Sequence, residues 1–155
     1  MAGDYRQVAE AVADRVRPEM TDWQRMQVVV DALWEAFGAP SGRVSWVGFY
    51  LPNESGERLF LGPRRDKPAS SPTGLGGVCG RAYLDREPVV VQDVRSLGKD
   101  YVACDPRDRS ELAVPLAEGD ERCRGVLDLD SHELAAFDTS DVTGLRKILA
   151  AAGLR

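Results

Sequence analysis

The sequence predicts an α+β domain: a mainly antiparallel sheet with helices on one face and a ligand pocket on the other. Three observations point there. Apolar residues recur with helical spacing at both ends of the chain, five short runs rich in β-branched and aromatic residues fill the middle, and two pairs of those runs are joined by polar turns.

Residues 4 to 17, DYRQVAEAVADRVR, place Val8, Val12 and Val16 at i, i+4 and i+8, which is a short amphipathic helix stopped by Pro18. Thr21 and Gln24 form a capping-box pattern that opens a second helix through MQVVVDALWEAF, ending at Gly38 before Pro40. RVSWVGFYL, residues 43 to 51, is a strand, PNESGE a turn and RLFLGP a returning strand. RRDKPASSPTGL, residues 64 to 75, is a long loop, ordered or disordered. GGVCGRAYLDR is a glycine-rich start to a short helix, and PVVVQDV a short buried strand. SLGKDYVACDPRDRS is a loop with at most one helical turn. ELAVPLA and CRGVLDLD are strands joined at the polar tip EGDER. DTSDVTGLRKILAAAGL is a closing helix capped by Asp138 or Ser140. A single domain over 1–155 is expected, with N-terminal helices in 1–38, sheet and pocket loops in 42–131, and the last helix in 139–153.

Strand side chains alternate faces. Val47, Phe49, Leu51, Leu112, Val114, Leu116, Leu127 and Leu129 then want the helices. Trp46, Tyr50, Glu111, Asp128 and Asp130 project from the opposite face, with Gly48, Ala113 and Pro115 leaving space among them. One reading is an ordinary solvated sheet face. The other is an acidic, aromatic-walled pocket, because tryptophan and tyrosine on such a face usually have a partner. Crowded carboxylates cannot all ionise cheaply, so at least one would hold its proton near neutral pH. Such a pocket suits a small cationic or zwitterionic ligand.

The 155 residues are 43% hydrophobic and 29% charged, with a formal net charge of -5, which argues against nucleic-acid or anionic-membrane partners. The first residues lack a signal-peptide core and no apolar run reaches membrane-spanning length, so a cytoplasmic location is expected. The chain has three cysteines and one histidine, His132, with no C-x-x-C pair, so no metal site is expected. Cys79 sits at the expected N-terminus of a helix, which lowers a thiol pKa, and Arg107 and Arg109 stand near Cys104 and offer the same stabilisation. Composition alone leaves both thiols open between reactive group and buried filler, while Cys123 reads as filler.

The series WVGFYL, LFLGP, GVCG, VACD, SELAVPL and GVLDLDS, in that order across residues 46 to 131, resembles the free methionine-(R)-sulfoxide reductases, enzymes built on a GAF domain. The resemblance implies a six-stranded antiparallel sheet. It implies that Cys104 attacks the sulfur of free methionine sulfoxide, leaving a sulfenic acid that a second cysteine converts to a disulfide and thioredoxin reduces. It places Glu111, Asp128 and Asp130 on the substrate, with Trp46 and Tyr50 walling its methyl group. No bound cofactor is implied, and a homodimer is. Relatives carry a cysteine after LGPxxxKxA, where this chain has Ser70; serine cannot form a disulfide, which leaves recycling to Cys79 or an external thiol. The alternative is a non-catalytic GAF domain that binds a small molecule as a sensor.

Overall fold

Asp4 opens the first helix by accepting a hydrogen bond from the Gln7 amide, and α1 runs Tyr5–Arg15. The computed structural model describes residues 4–40, 42–101, 105–117 and 122–154. Helix α2, Asp22–Phe37, begins with the full capping box between Thr21 and Gln24 and stops at Gly38. Strands β1 (Val44–Pro52) and β2 (Leu59–Arg65) form a hairpin, and helix α3 covers Val78–Asp85. Strand β3 is Val89–Val91, followed by a 3-10 stretch over Val94–Asp100 kinked at Gly98. Strands β4 (Ser110–Pro115) and β5 (Val126–Ser131) pair antiparallel, and α4, Thr139–Ala151, closes the chain. Asp138, not Ser140, caps α4 in a second capping box with Asp141.

The strands lie in the order β2-β1-β5-β4-β3, every neighbouring pair antiparallel. Among the described residues there are five strands, the five legible in the residues; the sixth implied by the family resemblance is not among them. Helices α1, α2 and α4 share one core with the sheet, where Val8, Leu33, Val47, Phe49, Leu112, Leu127, Leu129 and Ile148 are buried together. Each large aliphatic or aromatic side chain buried there stabilises the fold by about 1.5–3 kcal/mol. Helix α1 is tied to α4 where the Tyr5 hydroxyl donates to the fully buried Asp141 carboxylate at 2.6 Å. A side chain at Gly144 would collide with the Tyr5 ring, so glycine allows that approach.

Helix α3 departs from the helices-on-one-face expectation. It packs on the other face, where Val78, Cys79 and Ala82 join Trp46, Tyr50, Leu59, Val91 and Ala113 in a second apolar cluster. That face is therefore covered, and its acids are buried rather than solvated. Among the described residues no helix is long and apolar enough to cross a membrane.

Candidate functional site

Trp46 and Tyr50 emerge from β1 on the face away from the three-helix core, as strand alternation requires, with ring centroids 6.2 Å apart. Both polar tips are satisfied by the segment after β2. Trp46 Nε1 donates to the Lys67 carbonyl at 2.8 Å, and the Tyr50 hydroxyl to the Ser70 carbonyl at 2.9 Å. Thr73 adds a two-way bridge to Leu59, and the Ser71 hydroxyl accepts from the Leu61 amide. The loop over residues 66–73 is thus an ordered wall hung on two aromatic rings. Gly48 lies under the indole: a methyl there would stand 2.4 Å from Trp46 Cη2.

The acids come from β5, which pairs with β1, and from β4 beyond it. The register sets Asp130 between Trp46 and Glu111, and Asp128 between Gly48 and Ala113. Two small neighbours give the Asp128 carboxyl room on a crowded sheet. Glu111, Asp128 and Asp130 are all buried and line a cavity of about 520 Å³ with Tyr50, Ser70, Cys79, Tyr101 and Asp108. Trp46 supports the wall from behind Tyr50. Of the residues expected at the site, the structure brings together Tyr50, Glu111, Asp128, Asp130 and Cys79, with Trp46 adjoining; Cys104 lies outside the described residues.

Burial and the neighbouring Asp128 carboxylate push the Glu111 carboxyl well above its usual range, while a hydrogen bond from Tyr101 opposes them. The Tyr101 hydroxyl is itself pushed up by burial and by the carboxylates around it. Two ionised carboxyls side by side would repel, so the Asp128 carboxylate favours the protonated form of Glu111. Cys79, in the first turn of α3, brings its sulfur within 4.8 Å of carboxylate oxygens of both acids. Its thiol is driven well above the ordinary value, first by burial, then by the charges of Asp128, Glu111 and Asp130. This corrects the expectation from the helix N-terminus. The partial positive charge of one helix turn is outweighed by desolvation and three facing acids.

The segment after Cys104 holds a second cluster that sequence reading missed. The Asp105 carboxylate, 5% exposed, accepts from Lys67 Nζ, from the Arg107 backbone amide at 2.9 Å, and from Arg107 Nε and Nη2 at 3.1 and 3.0 Å. His132 Nε2 lies 3.2 Å from Asp105 and 3.7 Å from Asp108. The fork on Arg107 and the Lys67 ammonium hold the Asp105 carboxyl far below the usual range. Burial, then the charge of Asp105, raise the Asp108 carboxyl to about 6. Arg107 is thus committed to Asp105, and the Arg109 backbone bridges Ser131 and Val94. The signal in the sequence was the lone histidine right after β5, which gained meaning only once strand pairing placed it beside residues 105–108.

Cys123 is buried, donates its thiol to the Gly125 carbonyl at 3.2 Å, and is not among the cavity-lining residues. Two clusters bring metal-ligating residue types within 4.8 Å, Cys79–Glu111–Asp128 and Asp105–Asp108–His132. At the first, burial and mutual repulsion favour the protonated forms of Cys79 and Glu111; at the second, Lys67 and Arg107 pair with Asp105.

A GAF domain model matches residues 4–154. The free methionine-R-sulfoxide reductase of Saccharomyces cerevisiae is 35% identical over 118 residues, which are 75% of this chain and 65% of that protein. The enzyme of the same name from Escherichia coli is 35% identical over 108 residues, 69% of this chain and 63% of its own length. The chain thus spans just under two thirds of the length of these curated relatives. Among solved structures, free methionine-R-sulfoxide reductase from Neisseria meningitidis, in complex with its substrate, superposes with a TM-score of 0.83 at 37% identity, covering 98% of this chain and 90% of that one. The reduced form of fRMsr of Staphylococcus aureus superposes with a TM-score of 0.84 at 30% identity, covering 97% and 93%. The chain belongs to the GAF domain family and, within it, to the free methionine-R-sulfoxide reductases.

Proposed function

We propose that the protein reduces free L-methionine-(R)-sulfoxide to methionine. The observation that carries this reading is the cavity itself: three buried carboxyls and a thiol beneath an aromatic wall, in a volume of about 520 Å³ suited to one amino acid. An ionised carboxyl among Glu111, Asp128 and Asp130 pairs with the substrate ammonium. Among the described residues the cavity lining holds no Lys or Arg, so the substrate carboxylate is received by backbone amides where Gly76 and Gly77 lead into α3. Gly77 caps that helix with no side-chain hydrogen bond, which leaves amides available there. Tyr50 walls the methyl group, with the Trp46 ring beside it.

Cys104, as thiolate, attacks the substrate sulfur while a protonated pocket carboxyl gives its proton to the sulfoxide oxygen. The oxygen, now a hydroxyl, passes from the substrate sulfur to the Cys104 sulfur as the sulfur–sulfur bond just formed breaks, so methionine leaves and Cys104 becomes a sulfenic acid. The carboxyl that lost its proton now stands as a base beside Cys79, whose high pKa keeps it protonated until that moment. Cys79 sulfur attacks Cys104, the disulfide forms, and the oxygen leaves as water. The two thiols supply both electrons, with no bound cofactor, and a thioredoxin-type reductant restores them. A homodimer in the cytoplasm is the expected setting.

The test is thioredoxin-coupled NADPH oxidation with the free R epimer, the S epimer and peptide-bound sulfoxide serving as controls. Activity with the free R epimer that disappears in Cys104→Ser supports the reading; no activity in the intact protein overturns it. A second reading, a binding module without turnover, is favoured by Ser70, which lines the cavity at the position where the family resemblance implies a cysteine. Stoichiometric methionine release without reductant separates the two, because a binding module releases none.

A further inference from the structure

The reaction proposed above has an unmet proton requirement. Cys104 enters as a thiolate, its proton already lost to solvent. Sulfoxide, thiolate and the Cys79 thiol then need one more proton to give methionine, disulfide and water. A pocket carboxyl lends that proton and must recover it from bulk solvent once per turnover. The carboxyls themselves are buried beneath the substrate.

We propose that His132 and Asp108 are the inlet for this proton. The inference rests on the reductase reading. His132 has 36% of its side chain exposed, and its Nε2 lies 3.7 Å from Asp108 Oδ1. Asp108 is 4% exposed at its side chain, yet it lines the cavity shared with Glu111 and Tyr101. One residue therefore faces water, the other faces the site, and they face each other. Asp105 fixes the ring: it accepts at 3.2 Å from the same nitrogen and is itself held by Lys67 and Arg107. The Ser45 hydroxyl holds Asp108 Oδ1 from β1 at 3.5 Å.

The charges around Asp108 suit an exchanging group. Burial and the Asp105 charge raise its carboxyl to about 6, while His132, Lys67 and Ser45 pull it down. Arg107 also acts on it, and Glu111 and Tyr101 sense its charge across the cavity. It can lose and regain a proton near neutral pH, which a carboxyl at its ordinary value does poorly. An imidazole can take a proton from water on one nitrogen and pass one on from the other.

The experiment measures steady-state reduction of free methionine-(R)-sulfoxide at saturating reductant, from pH 6 to 9, for the intact protein, His132→Ala, His132→Gln and Asp108→Asn. Both His132 variants are expected to lose kcat by on the order of ten- to a hundredfold, increasingly as pH rises, with KM held within about twofold. Added imidazole should restore His132→Ala, and the solvent deuterium isotope effect on kcat should grow in both. A role in structure alone predicts no rescue and no isotope effect. His132→Gln keeps a polar group beside Asp105 and covers the case in which the alanine variant does not fold. Variants with the pH profile and isotope effect of the intact protein overturn the inlet and leave the reductase reading standing. An intact protein with no activity overturns both.

Discussion

Asp105→Asn tests the cluster behind the site in the most quantitative way. The carboxylate accepts from Lys67, from Arg107 through three nitrogens, and from His132. Hydrogen bonds to charged groups contribute about 1.5–3 kcal/mol each when protected from water. Lys67 and Arg107 are 41% and 70% exposed at their side chains, so screening leaves the Arg107 pair with little weight and reduces the Lys67 pair to about 1 kcal/mol or less. Asparagine keeps one oxygen for the Arg107 amide but turns an NH₂ toward cations, adding about 1 kcal/mol of loss. The expected destabilisation is about 2 kcal/mol, or roughly 4–8 °C in Tm for a domain of this size. The pH sign follows from direction. Asp105 has a depressed folded pKa, so its contribution is complete above the unfolded value of about 3.9 and fades only as pH falls through the lower folded one. Thermal melts of variant and intact protein should therefore differ by a constant amount from pH 7 to 9, above the titration of Asp108. The same substitution removes a charge that raises Asp108, so Asp108 should titrate below its present value of about 6, read by carbon-13 NMR of the carboxyls. A Tm within about 1 °C of the intact protein, with Asp108 unmoved, would show that the cluster is ornamental.

Gly48→Ala puts a methyl 2.4 Å from Trp46 Cη2, 2.8 Å from Cζ2 and 3.0 Å from Arg64 Cβ. The indole must shift, at about 1–3 kcal/mol of overpacking, and KM for the sulfoxide should rise several-fold by steady-state kinetics. Tyr101→Phe removes the hydrogen bond that lowers Glu111, so Glu111 stays protonated to higher pH and the alkaline limb of kcat/KM should move upward. An unmoved limb separates Tyr101 from the acid chemistry. Cys79→Ser should release one equivalent of methionine without reductant yet fail to cycle with thioredoxin. Adding Ser70→Cys to it should restore cycling, because position 70 lines the same cavity.

The helices and strands were legible because backbone geometry imposes their periods locally. Val8 and Val12 at i, i+4 face the core, and the alternation in LDLDS alone sends Leu127 and Leu129 to the helices and Asp128 and Asp130 to the cavity. Gly38 and the Thr21 box set the ends of α2 as expected. The loop over 64–75 was undecided, since its order comes from Trp46 and Tyr50, whose hydrogen bonds reach it across about 20 residues.

Sequence by itself determined the elements, the alternation of side chains between the faces of the sheet, and Glu111, Asp128 and Asp130 among the pocket acids, but not Asp108. Tertiary structure alone decided the state of those groups. Cys79 looked activated by its helix, yet strands β4 and β5 set three acids against it and burial removes the water that would screen them. Lys67, Asp105, Asp108 and His132 are unremarkable in the chain, and strand pairing makes them one cluster. Periodicity is a property of neighbours along the backbone, whereas pKa depends on burial and on charges that meet only through space.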